Sequence, residues 1–277
     1  MLMIHQGALG DFILALPILE TLRNAFRQAK SVIMGFPRIL ELVEKRFYAD
    51  EILAIDQRGM ASFFVRGGPL DRNLSQFFST FNLLVVFGKD EEGILIGNLR
   101  QVCRGHILHL NPFPEWTQRI HVSDHLLKEL HRYGFPISNQ NPRIYLTEKD
   151  RDLGRRFFKA QGLTEEERSK AIIVHPGSGS RKKVWPLERF LDLVRYLQRH
   201  SGSRILIVLG PAEGTEVQGA FEGIAWDMGP AAPILAKGFS LLGLASVMEG
   251  CRLFIGNDSG ITHMAAALGL PTVALFG

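Results

Sequence analysis

Three segments of the chain combine small residues, charge and the start of an apolar helical pattern. This is the make-up expected where backbone amides meet an anion or a carboxylate moves a proton. The first is Gly7-Ala-Leu-Gly-Asp11. Its glycines allow a sharp turn and a close approach to a neighbour, and a helix N-terminus favours negative charge. Asp11 reads there either as a helix cap or as a carboxylate available for chemistry. The spacing is not G-x-G-x-x-G, so no dinucleotide fingerprint is present. The second segment is His175-Pro-Gly-Ser-Gly-Ser-Arg-Lys-Lys-Val-Trp-Pro186. Its small residues make a loop whose N–H groups can face phosphate oxygens, and Arg181, Lys182 and Lys183 add positive charge. It is not a Walker A loop, and a solvated basic loop is the plain alternative. The third is Phe254-Ile-Gly-Asn-Asp-Ser-Gly-Ile-Thr-His263. Here a strand delivers Asp258, Ser259 and Gly260 onto a helix N-terminus, a ready anion site. His263 follows one turn later, where a packed or capped imidazole is the ordinary reading and a ligand contact the sharper one.

The elements that must carry these segments follow from periodicity. Short apolar runs alternate with amphipathic stretches, the pattern of a parallel sheet covered by helices. Strands are expected at Leu2–His5, 31–35, 51–55, 82–87 and His106–Leu110, then at 171–175, 204–210, 253–256 and 272–276. After a turn at Gly7–Gly10, a helix is expected over 11–26, with Phe12, Leu16, Leu19 and Leu22 at helical spacing. Further helices are expected between the strands of the first series and at 122–133, 148–160, 186–200, 213–221, 241–249 and 260–268. A proline-bearing, less regular stretch over 111–143 separates two such α/β series. This places an N-terminal domain at 1–145 and a C-terminal domain at 146–277, with ligands at the carboxyl ends of the strands. No short-period repeat is visible.

Composition narrows the class. The chain has 277 residues, 46% hydrophobic and 22% charged, enough for two domains with their own cores. A formal charge of +4 without a polybasic run favours anionic small molecules or an anionic surface over nucleic acid. Cys103 and Cys251, the two cysteines, read as buried thiols in a reducing compartment. Apolar runs such as Leu83–Phe87 are far shorter than the ~20 residues of a membrane helix. The N-terminus lacks the basic region of a signal peptide and reads as the first strand and helix.

Taken together, the three segments resemble the heptosyltransferase family of lipopolysaccharide glycosyltransferases (glycosyltransferase family 9). The resemblance rests on Gly7-Ala-Leu-Gly-Asp11 with Pro17, on His175-Pro-Gly-Ser through Lys183-Val-Trp-Pro186, and on Asp258-Ser-Gly-Ile-Thr-His263 with Gly269-Leu-Pro271. It runs through nearly the whole chain, with weaker support from the His121–Leu130 stretch. It implies a GT-B type fold: two Rossmann-like, doubly wound parallel-sheet domains facing across a cleft, acceptor on the first and nucleotide-sugar on the second. It also implies an inverting, metal-independent transfer of a heptose or similar sugar from a nucleotide-diphosphate donor, ADP-heptose by family, to a lipopolysaccharide core or lipid-linked glycan acceptor. By family position Asp11 is the base, in an acceptor loop with Gly7, Ala8 and Gly10. Lys183 and the start of the helix at Asp258, Ser259 and Gly260 neutralise the diphosphate, and His263, Ser178 and Ser180 contact the donor. Glu213 or Glu216 holds the ribose hydroxyls. No cofactor is implied beyond the nucleotide-sugar co-substrate. The implied location is cytoplasmic, with peripheral contact at the inner face of the inner membrane.

Two departures from the family are visible. The chain stops at Phe276-Gly277, short of the usual C-terminal helix. His5-Gln6 also precedes the first glycine where many relatives carry a basic residue. A nucleotide-sugar epimerase on the same scaffold and a non-catalytic or truncated nucleotide- or glycan-binding relative are the alternatives. Three other constellations read mainly as surface, with acceptor-side polarity the other reading for the histidines. Asp150-Arg-Asp152 has D-x-D form but sits in a charged helix start. His121, His125 and His131 lack further zinc ligands. Arg58, Arg66, Lys89, Arg100 and Arg119 could meet an acidic acceptor, though exposed cations ordinarily stay solvated.

Overall fold

The computed structural model describes every residue except 116, 118, 138–140, 211–212, 229–231 and 277, and the main chain alone at 225–228. Gly277, which follows the strand expected at 272–276, therefore lies outside the described residues. The chain divides into two compact units, Met1–Arg143 and Ile144–Gly277.

In the first unit the elements are β1 (Leu2–His5), α1 (Leu9–Ala25), β2 (Val32–Gly35), α2 (Pro37–Leu40), β3 (Glu51–Ala54), α3 (Arg72–Ser79), β4 (Leu83–Phe87), α4 (Ile94–Val102), β5 (His106–Leu110) and α5 (Val122–His131). The five strands form one parallel sheet in the order β3-β2-β1-β4-β5. Leu2 pairs with Val32 on one side and Leu84 on the other. β1, β2 and most of β4 are buried on both faces, which is why they read as continuous apolar runs instead of alternating ones. Leu2, Ile4, Val32, Met34, Leu84 and Val86 share a core with Phe63, Phe78 and Leu99. Each such side chain contributes about 1.5–3 kcal/mol of burial.

The second unit repeats the plan. Its elements are α6 (Glu148–Ala160), α7 (Glu165–Lys170), β6 (Ile172–His175), α8 (Leu187–His200), β7 (Ile205–Leu209), α9 (Thr215–Met228), β8 (Ile234–Lys237), α10 (Leu241–Met248), β9 (Leu253–Asn257), α11 (Gly260–Ala267) and β10 (Thr272–Leu275). The parallel order is β10-β9-β6-β7-β8. Read from β8, this is the same 3-2-1-4-5 arrangement as in the first unit. Ile172, Val174, Ile205 and Ile207 pack with Phe190, Val194 and Phe221.

The sequence reading missed two elements. β8 has four residues between Pro233 and Gly238, too few to show a period, and is an edge strand defined by pairing with β7. α7 is one short helix, started by Thr164, whose hydroxyl accepts from Glu167 N–H. Two side-chain readings also change. Asp150 is buried, not solvated: its carboxylate accepts from the Thr147 amide and hydroxyl, both at 2.8 Å, to cap α6. Cys103 is only partly buried, whereas Cys251 is buried and its thiol is pushed up to about 12 by burial. Among the described residues, no helix is long and apolar enough to cross a membrane.

α6 and α10 pack at unusually close range. A Cβ added at Gly154 would lie 2.0 Å from the Ser246 carbonyl oxygen, and Arg151 forks onto Glu249 with contacts of 2.9 and 3.1 Å. Gly154→Ala is therefore expected to push the helices apart and cost about 1–3 kcal/mol, read as a lower urea midpoint. An unchanged midpoint would mean that the close approach is not needed.

Candidate active site

In an open parallel sheet, ligands bind at the carboxyl ends of the strands where successive connections diverge to opposite faces. In the first unit that point lies between β1 and β4, and Asp11 lies just after β1. The helix starts earlier than the sequence suggested: Leu9, Gly10 and Asp11 form the first turn of α1, so Gly10 belongs to the helix and not to the preceding turn. Asp11 is exposed, and its Oδ2 accepts the Ala8 N–H at 3.0 Å. It thus caps the helix start, although the methyl of Ala8 cannot return the bond as a serine or threonine would. Its second oxygen takes no hydrogen bond among the described residues. Capping and an available oxygen coexist in one carboxylate.

Asp11 lines a cavity of about 210 Å³ with His5, Gly7, Phe64, Phe87, Lys89, His109 and Phe113. This is smaller than the ~300–1,000 Å³ of clefts for drug-sized ligands and suits one ring-sized group. The Lys89 ammonium lies 5.3 Å from the Phe113 ring centre and 3.6 Å from Glu91. His109 is held by the Gly88 carbonyl at 2.8 Å. Of the five basic residues singled out in this half, Lys89 lines the cavity, while Arg66 is paired with Glu92 at 3.1 Å. Phe87, His109 and Phe113 escaped the sequence reading. They follow or end β4 and β5, where strand order alone would have pointed. The three histidines at and within α5 make local hydrogen bonds: His121 Nδ1 accepts from Ser123 N–H, and His125 and His131 meet the carbonyls of Asn111 and Phe135.

In the second unit the divergence lies between β6 and β9, and the second and third segments meet there. Asn257, fully buried, stitches them together. Its amide donates to the Pro176 carbonyl at 2.7 Å, and its carbonyl accepts from Trp185 N–H at 3.0 Å. Ser178 Oγ donates to the Asp258 carbonyl at 2.8 Å, a third stitch. Asn257 was not among the expected site residues, although it directly precedes Asp258. The Lys183 ammonium lies 2.7 Å from Asp258 Oδ2, and His263 Nε2 lies 3.9 Å from Asp258 Oδ1. Lys183, Asp258 and His263 are therefore one cluster, with the lysine charge paired to a carboxylate. Ser259 caps α11, its Oγ accepting from Thr262 N–H at 3.3 Å, so Gly260 opens a helix whose free amides suit an anion. Ser180 precedes the turn that carries Lys183, whose N–H donates to the Ser180 carbonyl at 3.0 Å.

Beside this cluster lie two cavities. One, of about 470 Å³, is lined by Gly177, Ser178, Arg181, Trp185, Glu213 and Glu216. The other, of about 510 Å³, is lined by His175, Leu209, Gln218, Lys237, Phe239 and Ile261. The two glutamates differ. Glu213 is buried and accepts from the Gly210 amide, while Glu216 is exposed in the first turn of α9. A Cβ at Gly177 would lie 1.6 Å from Glu213 Oε1, so the second segment needs glycine there to seat this carboxylate. Among the described residues no group of three His, Cys, Asp or Glu could hold a metal ion.

Two imidazoles at the strand ends are buried. His5 is lowered to about 4, mainly by burial and partly offset by Asp11. His175 is also lowered, by burial first, with the Val208 carbonyl and Glu213 opposing.

Two doubly wound sheets, each with polar chemistry at its point of divergence, are the architecture of GT-B glycosyltransferases, and known proteins bear this out. The crystal structure of a family 9 glycosyl transferase from Veillonella parvula DSM 2008 superposes with a TM-score of 0.78 at 24% identity, covering 99% of this chain and 79% of that one. Escherichia coli ADP-heptose lipopolysaccharide heptosyltransferase II superposes with a TM-score of 0.72 at 17% identity, covering 100% of this chain and 84% of that one. At such identities the likeness shows the fold. In sequence, lipopolysaccharide heptosyltransferase 1 of E. coli K12 is 32% identical over 108 residues, 39% of this chain and 31% of that protein. The family description glycosyltransferase family 9 (heptosyltransferase) matches residues 111–277, more than half of the chain. The chain belongs to glycosyltransferase family 9.

Both buried histidines are neutral in the folded chain, so the unfolded chain takes up protons first once pH falls below ~6.5. Stability is therefore complete above that pH and declines towards about pH 4, where His5 also protonates. The His5 share of the loss is on the order of 3 kcal/mol. Urea midpoints at pH 7.5 and pH 5 should differ accordingly; equal midpoints would show that these imidazoles are solvated.

Proposed function

We propose that the chain transfers a heptose, or a closely similar sugar, from ADP-heptose to a hydroxyl of a lipopolysaccharide core or lipid-linked glycan, with inversion and without a metal ion. The reading assigns the acceptor to the cavity lined by Asp11 and the nucleotide-sugar to the second unit. The free oxygen of Asp11 takes the proton of the acceptor hydroxyl as its oxygen attacks the anomeric carbon. The bond from that carbon to the diphosphate breaks with its electron pair on the phosphate oxygen, and ADP departs. Lys183 exchanges Asp258 for the departing diphosphate, while the first amides of α11 add a positive field. Ser178, Ser180, Ser259 and His263 serve the same donor, and Glu213, seated deep in its cavity, takes the ribose hydroxyls in preference to exposed Glu216. The reaction takes place in the cytoplasm, at the inner face of the inner membrane.

The observation that carries this reading is the Lys183–Asp258 pair at 2.7 Å beside the start of α11. It is a cation held ready, next to unsatisfied helix amides, by a group that an anion can replace. The pair is half-exposed on the lysine side, so exchanging one anion for another costs little.

ADP at ~100 times its Kd should stabilise the folded chain by ~2.7 kcal/mol, seen in calorimetry. Absence of any shift with ADP, UDP or GDP would leave the reading without a donor. Asp11→Asn should lower turnover about 100-fold or more with ADP affinity kept. Lys183→Ala should weaken ADP about tenfold. Transfer should survive EDTA, and a loss restored by a divalent cation would overturn the metal-independent mechanism.

A further inference from the structure

The turn that leads to Asp11 rests on the imidazole of His5. His5 ends β1 and is 4% exposed, its ring held edge-on by Phe12 at 5.3 Å and tilted against Phe87 at 5.4 Å. The Gly7 N–H donates to His5 Nδ1 at 3.2 Å. The next amide, Ala8 N–H, donates to Asp11 Oδ2 at 3.0 Å. Two consecutive peptide groups are therefore fixed, one by the imidazole and one by the carboxylate. Gly7 sits against both: a Cβ placed on it would lie 2.7 Å from His5 Cε1 and 2.7 Å from Asp11 Cβ. A turn this thin transmits the position of the ring directly to the Asp11 side chain.

We propose that His5 is a positioning residue for the reaction: its unprotonated Nδ1 anchors the Gly7 amide and so aims the free oxygen of Asp11 at the acceptor hydroxyl. The inference rests on the reading of Asp11 as the base. It requires the tautomer with the proton on Nε2, because a proton on Nδ1 would confront the Gly7 N–H. Burial favours this neutral form, in keeping with a histidine lowered to about 4. The role needs an acceptor atom at one point, not an ionisable group. It therefore separates two substitutions that a purely space-filling role would treat alike: an asparagine carbonyl falls where Nδ1 lies, whereas a glutamine side chain places its polar atoms where Nε2 lies.

The test compares His5→Asn, His5→Gln and His5→Phe with the unaltered enzyme and with Asp11→Asn. Turnover, acceptor KM, ADP affinity and the urea midpoint are read for each. His5→Phe and His5→Gln should lower kcat about tenfold or more, since misplacement by ~1 Å can cost ~100-fold. Acceptor KM and ADP affinity should stay within about twofold, and His5→Asn should recover most of kcat. Recovery by glutamine and not by asparagine, equal turnover in all three, or a loss confined to KM would overturn the proposal. Nitrogen-15 NMR of the unaltered chain tests it without any substitution: His5 should show a protonated Nε2 and a bare Nδ1, and the opposite tautomer would also overturn it. An active Asp11→Asn removes the base reading itself. An inactive Asp11→Asn beside an unaffected His5→Phe removes only the role of His5.

Discussion

Connections in a parallel sheet must cross over one face or the other, and where their direction changes the strand ends open a crevice that no loop fills. Both units of this chain obey that constraint in the same 3-2-1-4-5 order. In each, a strand at the crevice hands the chain to a short loop and then to a helix whose first amides have no partner within the helix. Asp11, Lys183 and Asp258 all lie at these two places. Asp11 caps the helix after β1, and Ser259 caps the helix after β9. The family assignment, the cavity beside Asp11 and the Lys183–Asp258 pair all refer back to them.

The two crevices use the same local physics for opposite ends. In the first unit the helix start is met by the chain's own carboxylate, one oxygen engaged and one available. In the second, the cap is a neutral hydroxyl, so the cap itself does not offset the field of the helix start. Asp258, just ahead of that helix start, pairs with Lys183. Asn257 keeps the arrangement rigid, because its buried amide has both ends satisfied by the loop it holds. Precision here comes from backbone stitched to side chain, not from dense charge.

Much of this was legible beforehand. Apolar runs bounded by glycine and proline gave nine of the strands to within a residue or two, because strands buried on both faces need unbroken apolar sequence. β8 was not legible: an edge strand of four residues exists only through its pairing with β7. α1 starts two residues before the point its sequence predicts, since glycine lowers helical expectation at Gly10 whereas the N-cap falls on Ala8. Asp150 looked like a solvated charge because its environment, packed at the base of α6, is not a property of its neighbours in sequence.

The residue types alone determined which groups could act: a carboxylate after the first strand, a lysine in a small-residue loop, and a hydroxyl-capped helix start after a later strand. These are local facts, governed by turn chemistry and by the field of a helix end. Tertiary structure decided how each is engaged. It paired Lys183 with Asp258 across 75 residues of sequence, seated Glu213 under Gly177, and buried His5 behind Asp11. Such pairings depend on which strands are neighbours in the sheet, and strand order is set by the packing of whole layers, which no short window of sequence contains.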